Sequence, residues 1–278
     1  MRLSRLALFT AALVAGCNSA GRGIGTLHDG GGGAFDAALG AFDMSFPPVQ
    51  PAAVVYAHSA DTLFSVDPDT LAVTKIAAFV WPTFIPDTMT DIALDKDGNM
   101  IGISADNIYS VDKSNARCSY LASWQGSGFN GLSFISADQI DANGEEILVG
   151  ASQNGDVYRV DPMNGAQTKI GSYGAGFGSS GDLVSVAGAT YATVTKASSG
   201  SDVLVKVNPM NGVATVIGAT GVSGIWGLGY WKQKLFGFTS TNDFVLIDIN
   251  SGVATQVKTS SASWYGAGVT TAAPTTVN

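Results

Sequence analysis

The side chains that most enzymes use to move protons are scarce in this chain. Only two histidines occur, His28 and His58. A Ser-His-Asp triad or a histidine-rich metal site is therefore excluded on inventory. Carboxylates remain, and five of them recur at matching places: Asp61, Asp106, Asp156, Asp202 and Asp243 each stand just before a short apolar run. A ring of five functional acids is the sharper reading of that pattern, and a turn residue in each of five hairpins is the plainer one. Asp95-Lys96-Asp97-Gly98-Asn99 clusters oxygens as calcium loops do, but it lacks the further carboxylates and closing glutamate of an EF-hand and reads as a tight turn. Of the two cysteines, Cys118 shares its repeat position with Val73, Gln167, Ala214 and Ala254, which suits a small buried hydrophobe better than a nucleophile. No catalytic residue, metal or cofactor is assigned.

The elements that must position these residues are announced by repetition. Val157 to Ile170, VYRVDPMNGAQTKI, has relatives at Leu63 (LFSVDPDTLAVTKI), Ile108 (IYSVDKSNARCSYL), Leu204 (LVKVNPMNGVATVI) and Phe244 (FVLIDINSGVATQV). Anchored on Asp67, Asp112, Asp161, Asn208 and Asp248, the steps are 45, 49, 47 and 40 residues by subtraction of those positions. That period suits four-stranded propeller blades, although helical-pair arrays share it. The runs before each anchor are β-branched and aromatic, too short for helices and apolar on both faces, as for strands packed between neighbouring sheets. After the anchor, Asp161-Pro162-Met163-Asn164-Gly165 is a turn in which the aspartate accepts from the backbone two residues on and Gly165 supplies φ > 0. Nine residues past each anchor stands an aliphatic residue: Ile76, Leu121, Ile170, Ile217 or Val257. Each copy is expected to be a hairpin.

The second unit shows four strands in order, Asp91 to Leu94, Asn99 to Ser104, Ile108 to Val111 and Cys118 to Ser123. The first unit has only three, while the chain supplies a spare strand at Trp264 to Thr270. Pairing that strand into the first blade closes the ring and removes two exposed sheet edges. The expected fold is therefore all-β, a β-propeller over residues 52–271 of five four-stranded blades closed by the C-terminal strand, with 272–278 as a tail. Counts of four and six remain open from boundaries alone. DIALDKDGNMIGIS, from Asp91, resembles the strand-turn-strand of NHL repeats and their YVTN-like relatives. The resemblance covers the folded region and implies a propeller, a superfold that hosts many functions.

Ahead of the repeats, Arg2 and Arg5 precede the apolar run Leu6 to Val14, and Ala15-Gly16-Cys17 follows. This reads as a secretory signal over residues 1–17, too short to span a membrane as a helix. Val14-Ala15-Gly16-Cys17 resembles the lipobox of bacterial lipoproteins, which implies acylation of Cys17, a lipid anchor in the cell envelope and membrane as the first partner. Asn18, in place of the aspartate that the family uses for inner-membrane retention, implies the outer membrane where the cell has one, its face undecided. Residues 18–51 include Gly30-Gly31-Gly32-Gly33 and behave as a flexible linker that holds the fold off the membrane. With Cys17 acylated, Cys118 has no partner for a disulfide.

In a propeller the loops entering each first strand share one rim with the hairpin loops that carry the repeated acids. They are rich in glycine and aromatics, and the candidate ligand rim is His58, the five acids, Trp124, Phe129, Phe177, Trp226, Trp264 and Tyr265. Exposed aromatics there stack on sugars or grip peptide side chains; buried ones plug the channel or staple adjacent blades. The net charge of −8 argues against nucleic acid. The leading expectation is a monomeric, lipid-anchored module that binds a protein or glycan. A metal-dependent enzyme resembling the lactonase or lyase propellers and a structural envelope component are the alternatives.

Overall fold

The computed structural model describes residues 55–83, 86–125, 128–140, 145–196, 198 and 200–277. The signal segment, Cys17, the linker and His28 lie outside the described residues. Twenty strands form five antiparallel sheets of four. Blade 1 holds β1 (Val55–His58), β2 (Thr62–Val66) and β3 (Val73–Ala78), and blade 2 holds β4 (Asp91–Leu94), β5 (Met100–Ile103), β6 (Asn107–Asp112) and β7 (Arg117–Ser123). Blade 3 is β8 (Gly131–Ile135), β9 (Ile147–Ala151), β10 (Asp156–Val160) and β11 (Gln167–Ser172). Blade 4 is β12 (Gly178–Val186), β13 (Ala189–Thr195), β14 (Val203–Val207) and β15 (Ala214–Ala219). Blade 5 is β16 (Ile225–Trp231), β17 (Lys234–Thr239), β18 (Asp243–Asp248) and β19 (Ala254–Thr259), and the last strand, β20 (Gly266–Gly268), pairs with β1 to complete blade 1.

The inner strands touch in the cyclic order β20, β4, β8, β12, β16 and back to β20, so the fold is a closed five-bladed propeller. β12 also touches β20 across the axis, so the channel is narrow. The apolar faces hide between blades. Leu63, Met89, Ile92 and Tyr109 fill the gap between blades 1 and 2, and Ile103, Ile108, Leu132 and Leu148 that between blades 2 and 3. A larger cluster around Phe236, Phe238, Phe244 and Trp264 ties blade 5 to its neighbours. The chain past residue 271 stays packed on blade 5, where Lys232 N donates to the Pro274 carbonyl at 2.8 Å and Ala273 is buried.

The repeat has a physical basis at two points of each outer hairpin. Asp67, Asp112, Asp161, Asn208 and Asp248 each accept a hydrogen bond from the backbone N–H two residues on, at 2.9–3.0 Å. The aliphatic residue nine past the anchor is the extra residue of a β-bulge. In every blade the pairing of third and fourth strands slips by one there, passing over Ile76, Leu121, Ile170, Ile217 and Val257. The bulge turns these side chains against the interblade cores.

Candidate functional site

At one end of the channel, loops from all five blades enclose a cavity of about 840 Å³. Two bulges in inner strands shape it. In β16 the pairing passes from Ile225 to Gly227, leaving Trp226 unpaired and aimed outward; in β12 three residues, Ser180 to Asp182, stand opposite one on β13. Trp226 and Tyr265 are each 37% exposed and meet edge to face, with ring centroids 5.7 Å apart. Gln153, Ser180 and Ser223 add polar groups to the wall.

Asp202 also lines the cavity. Its Oδ2 accepts from the Ser180 hydroxyl at 2.6 Å and from the Ile225 N–H at 2.8 Å, which joins blade 4 to blade 5. Burial holds its carboxyl above the usual aspartate range. Asn130 donates from Nδ2 to the Ser179 carbonyl at 3.2 Å, while its Oδ1 is buried with no partner. That oxygen keeps unused acceptor capacity behind the cavity wall, out of contact with solvent.

The structure divides the residues singled out from sequence. Phe129, Asp202, Trp226 and Tyr265 come together at the mouth. Trp264, next to Tyr265, is fully buried between Phe64 and Phe238, with centroids at 5.3 and 5.2 Å. Trp124 donates from Nε1 to the Ser104 carbonyl at 3.0 Å and packs edge-on against buried Phe129, which staples blade 2 to blade 3. Phe177 lies under the Lys196 ammonium, 5.7 Å from the ring centroid.

The other repeated acids serve their own turns. Asp61 accepts from the Ser59 and Thr62 hydroxyls, Asp156 pairs with Lys169 at 2.8 Å, and Asp243 accepts from Gln256 and Thr259. Asp106 is exposed, and its N–H donates to the Ser104 hydroxyl at 3.3 Å. They do not gather with Asp202. Asp95 likewise spends its carboxylate on the N–H groups of Asp97 and Asn99. Cys118 is buried, and burial pushes its thiol up to about 12.

Two acids not singled out from sequence occupy the axis. Thr90 and Gly181 line the mouth, and the residues that follow them, Asp91 and Asp182, are wholly buried. Asp91 accepts from Ile92 N at 2.8 Å and, across to blade 3, from Leu132 N at 2.7 Å. Asp182 repeats the bridge from blade 4 to blade 5, accepting from Leu183 N at 2.6 Å and Leu228 N at 2.8 Å. The two carboxyl groups face each other closely enough that each acts on the ionisation of the other. Burial raises both well above the usual aspartate range, and for Asp91 the facing Asp182 charge adds to it. Two buried carboxyls raised in this way favour a state in which the pair keeps a proton.

His58 completes the group. Its Nδ1 bonds the Ser59 carbonyl at 2.9 Å, and since a carbonyl only accepts, the proton sits on Nδ1. Burial lowers its pKa to about 4, so the ring is neutral. Nε2 then presents a lone pair 3.8 Å from Asp91 Oδ1, without a hydrogen-bond partner. Gly266 makes room here: a Cβ on it would lie 2.3 Å from Asp91 Oδ1 and 2.5 Å from His58 Nε2. The signal for these acids was present in the repeat. Each stands immediately before a core residue of an inner strand, where the other blades carry Gly131, Gly227 and Gly266. Among the described residues no group of three or more His, Cys, Asp or Glu is arranged to hold a metal ion.

No protein-family profile matches the chain, and no curated protein is significantly similar to it. Solved structures do resemble it at low identity. A protein of unknown function from Bacteroides caccae is 11% identical, with a TM-score of 0.41 over 74% of this chain and 73% of that one. A chain of a nidogen/laminin complex is 9% identical, with a TM-score of 0.48 over 81% and 99%. The computationally designed protein Ika8 is 12% identical, with a TM-score of 0.37 over 78% and 74%.

Proposed function

We propose that this propeller is a ligand-binding module held at the cell envelope through an acylated Cys17, with the channel mouth as its binding face. The observation that carries the reading is the pair Trp226 and Tyr265, two large aromatic rings left partly open to solvent at the edge of a cavity of about 840 Å³. Large exposed aromatics beside polar groups are typical of recognition surfaces. The enzyme alternative draws less support, because Asp91, Asp182 and His58 are wholly buried and out of reach of a substrate in the mouth.

Affinity capture with the full chain tests the binding face. Trp226→Ala combined with Tyr265→Ala is expected to abolish capture of the partner while leaving the thermal melt unchanged. Undiminished capture by that variant overturns the assignment of the mouth. The mass of the mature amino terminus, measured on the same preparation, is expected to show a diacylated cysteine, and an unmodified Cys17 removes the anchor.

A further inference from the structure

We infer that the ligand of the channel mouth is an uncharged saccharide, an inference that rests on the mouth being the binding face. Charge comes first. The ionisable side chains of the cavity wall are Asp202 and Tyr265, with no lysine or arginine among the described lining residues. An acidic sugar, a nucleotide or an acidic peptide would meet no cation there, and would approach a chain of net charge −8. A basic ligand gains little from Asp202, because its Oδ2 is already committed to Ser180 and Ile225 inside the wall and burial favours its neutral form.

Backbone chemistry separates a saccharide from an extended peptide. A peptide that adds to a sheet needs an edge with free N–H and C=O groups. The free edges of these sheets are the outer strands β3, β7, β11, β15 and β19, on the perimeter. Near the mouth the inner edges are already taken by side chains: Asp91 holds Leu132 N, Asp182 holds Leu228 N, and Ile225 gives its N–H to Asp202 and accepts from the Thr193 hydroxyl. Aromatic faces and neutral amide or hydroxyl groups remain. A pyranose ring has this mixed character, with C–H faces that pack on a π-system and hydroxyls that donate to and accept from amides. Trp226 and Tyr265, at an interplanar angle of 75°, form a corner that contacts such a ring on two sides. Gln153 and Ser223 in the wall offer an amide and a hydroxyl to its hydroxyls.

The test is a glycan array of neutral and uronic or sialic acid-containing oligosaccharides, probed with the full-length protein in detergent. Calorimetry then follows on the strongest neutral ligand. Binding confined to neutral glycans is expected, about tenfold weaker for Trp226→Ala or Tyr265→Ala, a loss in the range of one aromatic contact. Gln153→Ala is expected to weaken it as well, with all three variants melting as the wild type does. Equal or stronger binding of acidic glycans, or neutral binding that survives both aromatic substitutions, overturns the inference. If no glycan binds while the aromatic double variant still loses a captured protein partner, the saccharide is wrong and the binding face stands. If that capture is also unaffected, both fall.

Discussion

The perimeter and the axis of this propeller use aspartate in opposite ways. On the perimeter each blade repeats one device: an exposed acid or amide accepts from the N–H two residues on and closes a hairpin without reference to the other blades. On the axis only blades 2 and 4 carry an acid, and Asp91 and Asp182 each reach into the next blade. Their counterparts in the remaining blades are glycines: Gly266 leaves the space the Asp91 carboxyl occupies, and Gly131 and Gly227 let the next blade's backbone approach. The contrast teaches that repetition builds the blades, while the departures from it fit the blades together. The same holds at the mouth, where one repeat position carries Trp226 and Tyr265 in two blades and Thr90, Asn130 and Gly181 in the others.

The strongest way to break this contrast is to remove one acid from each region. Asp182→Ala leaves the buried N–H groups of Leu183 and Leu228 without acceptors, at roughly 1–3 kcal/mol each, so a loss of about 2–6 kcal/mol is expected in urea unfolding. Asp248→Ala leaves its donors to water and is expected to cost far less. Equal losses would end the distinction.

Acidity sharpens it by sign. The axial carboxyls have raised values in the fold, so their contribution to stability is complete below the unfolded value of about 4 and is lost as pH rises through the folded values. Backbone N–H groups at the Asp248 turn, Ser251 first, lower its carboxyl. Its contribution is present above about pH 4 and is lost as pH falls through the lowered value. Relative to wild type, Asp91→Asn should therefore gain stability with rising pH, since an amide stays neutral where the acid would ionise, and Asp248→Asn should lose it. Parallel pH curves for the two variants would show that axis and turn titrate alike.

The smallest effect concerns the fifth residue of the perimeter turn. It has φ of 60° at Leu71, 58° at Ala116, 72° at Gly165, 74° at Gly212 and 78° at Gly252. The two non-glycine residues carry left-handed strain that the three glycines avoid. Ala116→Gly is expected to raise stability by about 0.5 kcal/mol, the relief of that strain less the backbone entropy glycine costs. A lower urea midpoint would show that the buried Ala116 methyl matters more than its φ.

The blade count, the closing strand, the turn anchors and the aliphatic position nine residues on were all legible in the chain, because each answers to local rules that repeat. The role of that aliphatic position was not, since a one-residue bulge leaves no mark in hydrophobic period. Trp264 and Tyr265 show the limit most plainly. Both are aromatics in one loop, and which is buried depends on Phe64 and Phe238, distant in sequence. Asp91 and Asp182 were hidden for another reason. An acid before an aliphatic strand looks like a turn residue until its position is compared with the glycines of the other blades.

The position of β20 makes the first and last described strands depend on each other. The opening sheet stays one strand short until the closing segment leaves the ribosome, so the ring cannot form blade by blade to completion during synthesis. A chain interrupted at Ser263 would carry raw edges on β1 and an uncovered flank on blade 5, where Gly227 meets the backbone of Gly266 and Ala267. Such fragments would be sticky rather than half-functional, and β20 acts as a seal on the ring.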